Sequence, residues 1–81
     1  MAIRHDLDDW VVEALRTLGG SGTVVDVSQQ VWLRHEADLR ASGALFYTWQ
    51  YDIRWAAHRL RRRRMLLPAE SSPQGVWELT G

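Results

Sequence analysis

Cysteine and lysine are both absent from this chain of 81 residues. Without cysteine there is no disulfide framework, no thiolate metal site and no cysteine nucleophile. Without lysine, all ten basic residues are arginine, a planar fork suited to bidentate bonds with phosphate or guanine. No stretch approaches the roughly 18 consecutive apolar residues that a membrane-spanning helix needs, so no membrane partner is expected. The opening Met1-Ala2-Ile3-Arg4-His5-Asp6 lacks the apolar run of a signal peptide. Glycine and proline are not in excess, and no segment is of low complexity, which argues against a disordered chain.

What remains is apolar and aromatic. Hydrophobic residues make up 46% of the chain, and five are tryptophan. The length allows one domain, residues 1–81, that buries about 60% of the surface its unfolded chain exposes. The formal net charge is zero, which taken alone argues against a nucleic-acid partner. Its distribution argues otherwise. Residues 1–47 hold four arginines and seven acids, a net −3, whereas residues 48–81 hold six arginines and three acids, a net +3.

Leu7, Trp10, Val11, Ala14, Leu15 and Leu18 recur at helical spacing and predict a first helix. Asp6 is its expected N-cap, and Gly19-Gly20 its stop. Thr23-Val24 is expected to form one very short strand. Asp26 then caps a second helix through about His35, with Val27, Val31 and Leu33 or the Arg34 stem facing inward. Glu36 to Ser42, anchored by Leu39, reads as either one further helical turn or an extension of that helix. Thr48 is the expected N-cap of a third helix through Arg64, with Trp49, Ile53, Ala56, Ala57 and Leu60 on one stripe. Met65-Leu66-Leu67, stopped by Pro68, reads as a strand. Val76 to Thr80 alternates as a second strand antiparallel to it, and Ala69 to Gly75 is the loop between them. Trp10, Trp32 and Trp77 are expected in the core. The fold class is mainly α with a small β-hairpin, a winged helix-turn-helix of three helices plus wing.

The stretch Trp55-Ala56-Ala57-His58-Arg59-Leu60-Arg61-Arg62-Arg63-Arg64-Met65-Leu66, with the later Gly75-Val76-Trp77-Glu78-Leu79-Thr80, resembles the N-terminal winged-helix domain of Mrr-like restriction proteins. The resemblance covers Thr48 to Gly81 well and the first half in outline. One departure stands out: that family has glycine where the third helix hands over to the strand, and here Arg64 and Met65 occupy the turn. The resemblance implies a double-stranded DNA-binding module, a target-recognition domain of a restriction or defence protein, extending to methylated DNA such as N6-methyladenine. It also implies a fused or associated nuclease and a cytoplasmic, nucleoid-associated location in bacteria. No nuclease carboxylate cluster follows in this chain, so either a piece of a larger protein or a stand-alone small binder is expected.

Residues 48–64 carry six arginines against one aspartate, a local net charge of +5. Gln50 is placed to read adenine and Arg54 guanine, with Arg61 and Arg62 meeting backbone further on. Tyr51, Trp55, His58 and Arg62 lie opposite the core stripe. Tyr51 is expected to contact DNA, whereas packing of Trp55 beneath the wing is favoured over contact. Tyr47 and Trp49 flank Thr48, as a hydrophobic staple or, with Gln50, as walls of a pocket for a base methyl group. Ser71, Ser72 and Gln74 of the wing are the remaining expected phosphate donors. His5, His35 and His58 show no metal-ligand spacing. No nucleophile-and-base pair and no phosphate loop appears, so neither a cofactor nor catalysis by the module itself is expected. The alternatives are a protein-interaction or dimerisation module, or a small transcriptional repressor using the same helix. Oligomeric state is left open.

Overall fold

The computed structural model describes residues 2–81; Met1, the first residue of the expected domain, lies outside the described residues. Helix α1 spans Asp6–Thr17 and buries Leu7, Val11, Ala14 and Leu15 along one stripe. His5, not Asp6, sits at the N-cap position. The Asp6 carboxylate instead accepts from the Ile3 amide at 2.9 Å, bracing the incoming chain. The helix stops where Gly19 takes φ +90° and the Gly20 amide donates back to the Leu15 carbonyl at 2.7 Å. This is a Schellman closure, which favours glycine because a side chain is strained at positive φ.

Strand β1, Ser21–Thr23, runs directly into α2, Val24–Arg40. Thr23 is the true cap. Its hydroxyl accepts from the Asp26 amide at 3.0 Å, and the Asp26 carboxylate accepts from the Thr23 amide at 3.2 Å. Asp26 thus completes a capping box from the third helical position rather than starting the helix. The helix continues past His35 through a kink at φ −127°, ψ 19°, so residues 36–40 extend it and Leu39 is fully buried. Neither Leu33 nor Arg34, the alternatives expected inside, is buried: Leu33 is 73% exposed and Arg34 is exposed too. Val27 and Val31 already fill the inward stripe, and Leu33 lies off it.

After the turn Ala41–Gly43, helix α3 spans Ala44–Arg62. It begins four residues before the expected cap at Thr48. Gly43 at φ +60° holds the N-cap position, and Leu45 starts the buried stripe that Trp49, Ile53, Ala56 and Leu60 continue. The Thr48 hydroxyl donates to the Asp52 carboxylate one turn on, at 2.7 Å, so it does not cap. Tyr47 and Trp49 accordingly lie within the helix, not on either side of its cap, and do not form the expected staple about Thr48.

At its other end α3 closes as α1 does. The Met65 amide donates to the Leu60 carbonyl at 2.9 Å and the Arg64 amide to the Arg61 carbonyl at 3.0 Å. Arg64 adopts φ +62°, so an arginine takes the left-handed position that Gly19 fills in α1.

Strand β2, Val76–Glu78, pairs antiparallel with β1, with Gly22 opposite Trp77. Met65–Leu67 does not form the expected partner strand. Leu66 makes a single bridge with Leu79 on the other edge of β2, and Pro68, with no amide hydrogen, stops the ladder there. The wing is therefore a small sheet with β2 in its middle, and the loop before it holds a 3-10 turn at Ala69–Ser71. Three helices plus this wing make a mainly helical winged helix-turn-helix. Trp77 lies in the core at 5% exposure. Trp10 and Trp32, expected there too, pack half-buried at its margin. Trp10 stacks on His35 with centroids 3.9 Å apart, and Trp32 on Trp49 at 5.9 Å. No helix of the described residues is long and apolar enough to cross a membrane.

Candidate nucleic-acid interface

Burying Leu45, Trp49, Ile53, Ala56 and Leu60 turns the opposite side of α3 to solvent. Tyr47, Gln50, Tyr51, Arg54, Trp55, His58 and Arg62 are all exposed there. Trp55, expected beneath the wing, is 49% exposed. It contacts Tyr51 and His58 of its own helix at centroid distances of 6.4 and 5.9 Å. The signal was present in the chain: Trp55 follows Tyr51 by four residues, on the side away from the core stripe.

Two other expected site residues leave this face. Trp49 is 5% exposed and belongs to the core. Thr48 lies on the flank toward α1, bonded to Asp52. The pocket expected from Tyr47, Trp49 and Gln50 does not form, because Tyr47 is 84% exposed while Trp49 points inward. A cavity of about 520 Å³ opens instead between α2 and α3, lined by Trp32, Phe46, Trp49, Gln50 and Arg54. The sequence points to Trp32 only as a core residue and gives Phe46 no site role, since nothing local links two residues on successive helices.

A second cavity of about 550 Å³ separates α3 from the wing, with Arg54 and Arg61 on one wall and Ser72 and Gln74 on the other. Four expected residues thus come together, and Arg54 borders both cavities. The Ser72 hydroxyl is buried without a hydrogen-bond partner. Ser71 is exposed on the 3-10 turn and lines neither cavity. The Arg61 guanidinium donates to the Leu67 carbonyl at 3.3 Å, which ties the start of the wing to α3.

The charges are sorted by face. Arg4 pairs with Asp52, Arg34 with Glu13, Arg40 with Glu36 and Arg59 with Asp8. Asp52, the one acid of α3, is 7% exposed and turned toward Arg4 and Thr48. Among the described residues, Arg16 of α1 and Arg54, Arg61, Arg62, Arg63 and Arg64 join no ion pair. Apart from Arg16, the unneutralised cations therefore gather along α3 and its C-terminal turn, where those of the last turn complement the negative end of the helix dipole.

Comparison with protein-family models, with curated proteins and with solved structures gives no match to this chain.

Proposed function

We propose that this chain is a double-stranded DNA-binding module that sets α3 in the major groove. One observation carries the reading: five of the six arginines in no ion pair among the described residues lie on α3 and its C-terminal turn, Arg16 of α1 being the exception, while the cations of α2, and Arg59 on the α1 flank, are neutralised by acids. In this arrangement Gln50 and Arg54 reach base edges, and Arg61 and Arg62 meet phosphates. Ser71 and Gln74 are the wing residues available to the backbone.

The resemblance to Mrr-like winged helices extends the proposal to target recognition in a bacterial restriction or defence protein, with a fused or associated nuclease, in the nucleoid. Recognition of a methylated base then falls to the cavity lined by Trp32, Phe46, Trp49 and Gln50, apolar walls beside an amide. A second reading, a protein-interaction or self-association module, draws on the exposure of Tyr51 and Trp55, since large apolar surface left in water marks contact sites. A repressor would use the same helix.

Binding to a labelled duplex, followed by anisotropy as salt is raised, tests the proposal. Affinity should fall steeply and log-linearly with salt as counterions are released. A chain that ignores duplex DNA at low salt, yet doubles its mass on sizing, would return the face to the second reading.

A further inference from the structure

The rings of this domain meet in two main ways, with the tilted pair Trp32–Phe46, at 35°, between them. At the core margin they lie face to face: Trp10 on His35 at 4° between planes, and Trp32 on Trp49 at 10°. Both faces meeting there are used up. Along the outer side of α3 the rings meet edge-on instead. Tyr51 and Trp55 stand at 67°, Trp55 and His58 at 85°, and Tyr47 leans on Phe46 at 71°. An edge contact holds a ring in place and leaves a face of it uncovered by another ring. Trp55 is braced in this way from both sides. Tyr47, Tyr51, Trp55 and His58 follow one another at four, four and three residues, so they form a continuous ridge along the helix. Arg54 and Arg62 flank that ridge, exposed and in no ion pair among the described residues.

Paired bases are a poor complement to such a ridge. Their edges in the major groove offer hydrogen-bonding groups, and only the thymine methyl suits an apolar surface. Unpaired bases present π-faces, which aromatic rings accept regardless of sequence, while neighbouring cations follow the phosphates. We infer that the Tyr51–Trp55–His58 ridge is a stacking platform for unpaired nucleobases, so that this domain prefers DNA carrying a short single-stranded or opened segment. The inference rests on the reading of α3 as a DNA-binding face, and adds a ligand state that helix-in-groove docking does not require. The charge of the flanking arginines selects a polyanion as the occupant over a second copy of the chain, whose matching face would bring the same cations together.

The test compares a fully paired duplex with the same duplex carrying a short central bubble, using 2-aminopurine in the bubble as a stacking probe. The whole chain should bind the bubble about tenfold more tightly, and its binding should quench the 2-aminopurine. Trp55→Ala should abolish both the preference and the quench while keeping a wild-type circular dichroism spectrum. Trp55→Phe, which restores a ring face, should recover most of the preference. Equal affinity for both DNAs overturns the inference and leaves the duplex-binding proposal standing. Retention of the preference by Trp55→Ala, or self-association that Trp55→Ala abolishes, also overturns it. Failure to bind either DNA removes both.

Discussion

Arg59 of α3 donates to both carboxylate oxygens of Asp8 of α1, with Nη2 at 2.6 Å from Oδ1 and Nε at 3.1 Å from each oxygen. Both groups are largely withdrawn from water, at 26% and 11% side-chain exposure, and the pair ties the first helix to the proposed recognition helix. The hydrogen bond to Asp8 raises the Arg59 guanidinium above its ordinary range, against the opposing effect of burial, and the charges of Asp8 and Asp52 add to the rise.

Loss of the two partners should cost unequally. Arg59→Ala leaves the more buried carboxylate without a counter-charge, whereas Asp8→Ala leaves a guanidinium that reaches water. The expected losses are about 2–3 and about 1–2 kcal/mol, read from urea denaturation. The reverse order would refute this account of the pair. A raised pKa in the folded state means that Arg59 contributes stability fully below its unfolded value and loses it only as pH rises through the folded one. Arg59 therefore adds no slope to stability near neutrality, and its contribution fades only in strong alkali.

The two Schellman closures offer a matched pair. Arg64 at φ +62° carries a conformational strain that Gly19 at φ +90° avoids. Arg64→Gly should raise stability by about 0.5–1 kcal/mol, the relief of left-handed strain less the added freedom of the unfolded chain. Gly19→Ala should lower it by about 1 kcal/mol through backbone strain alone, because a Cβ at Gly19 would meet nothing within 4 Å. Thermal unfolding reads both. A destabilised Arg64→Gly would mean that the arginine side chain contributes more than its backbone costs.

Arginines on and off the exposed side of α3 should behave differently toward DNA. Arg62→Ala is expected to weaken binding to all duplexes alike and to lower the salt slope by about 1. Gln50→Ala or Arg54→Ala should instead change base preference by about 1–3 kcal/mol. Arg40→Ala, which removes a cation paired with Glu36 at 2.8 Å, should leave affinity unaltered. An equal loss from Arg40→Ala and Arg62→Ala would reduce the interface to net charge.

Much of the architecture is legible in local pattern. The stripe of Leu7, Val11, Ala14 and Leu15 and the Gly19-Gly20 stop define α1, and the stripe from Trp49 to Leu60 defines most of α3. Helix starts were harder. Asp6, Asp26 and Thr48 all have the chemistry of a cap, but a cap depends on where the backbone leaves the helical region. Asp6 and Asp26 fall inside their first turns, and the Thr48 hydroxyl is spent on Asp52. The strand expected at Met65–Leu67 shrank to one bridge because β2 takes β1 as its main partner. That choice joins segments more than 50 positions apart, beyond any local signal.

By itself the sequence determined three helices, a wing beside the last of them, and the concentration of cations on α3, because helical periodicity, glycine stops and charge placement act over a few residues. Only the tertiary structure decided which cations stay free, which tryptophans leave the core and which residues share a cavity. Asp8 neutralises Arg59 from another helix, Trp55 turns outward while Trp77 turns in, and Gln50 and Trp32 line one cavity between α2 and α3. Each depends on how separate elements pack, and a ring or a guanidinium has no fixed role until its neighbours are in place.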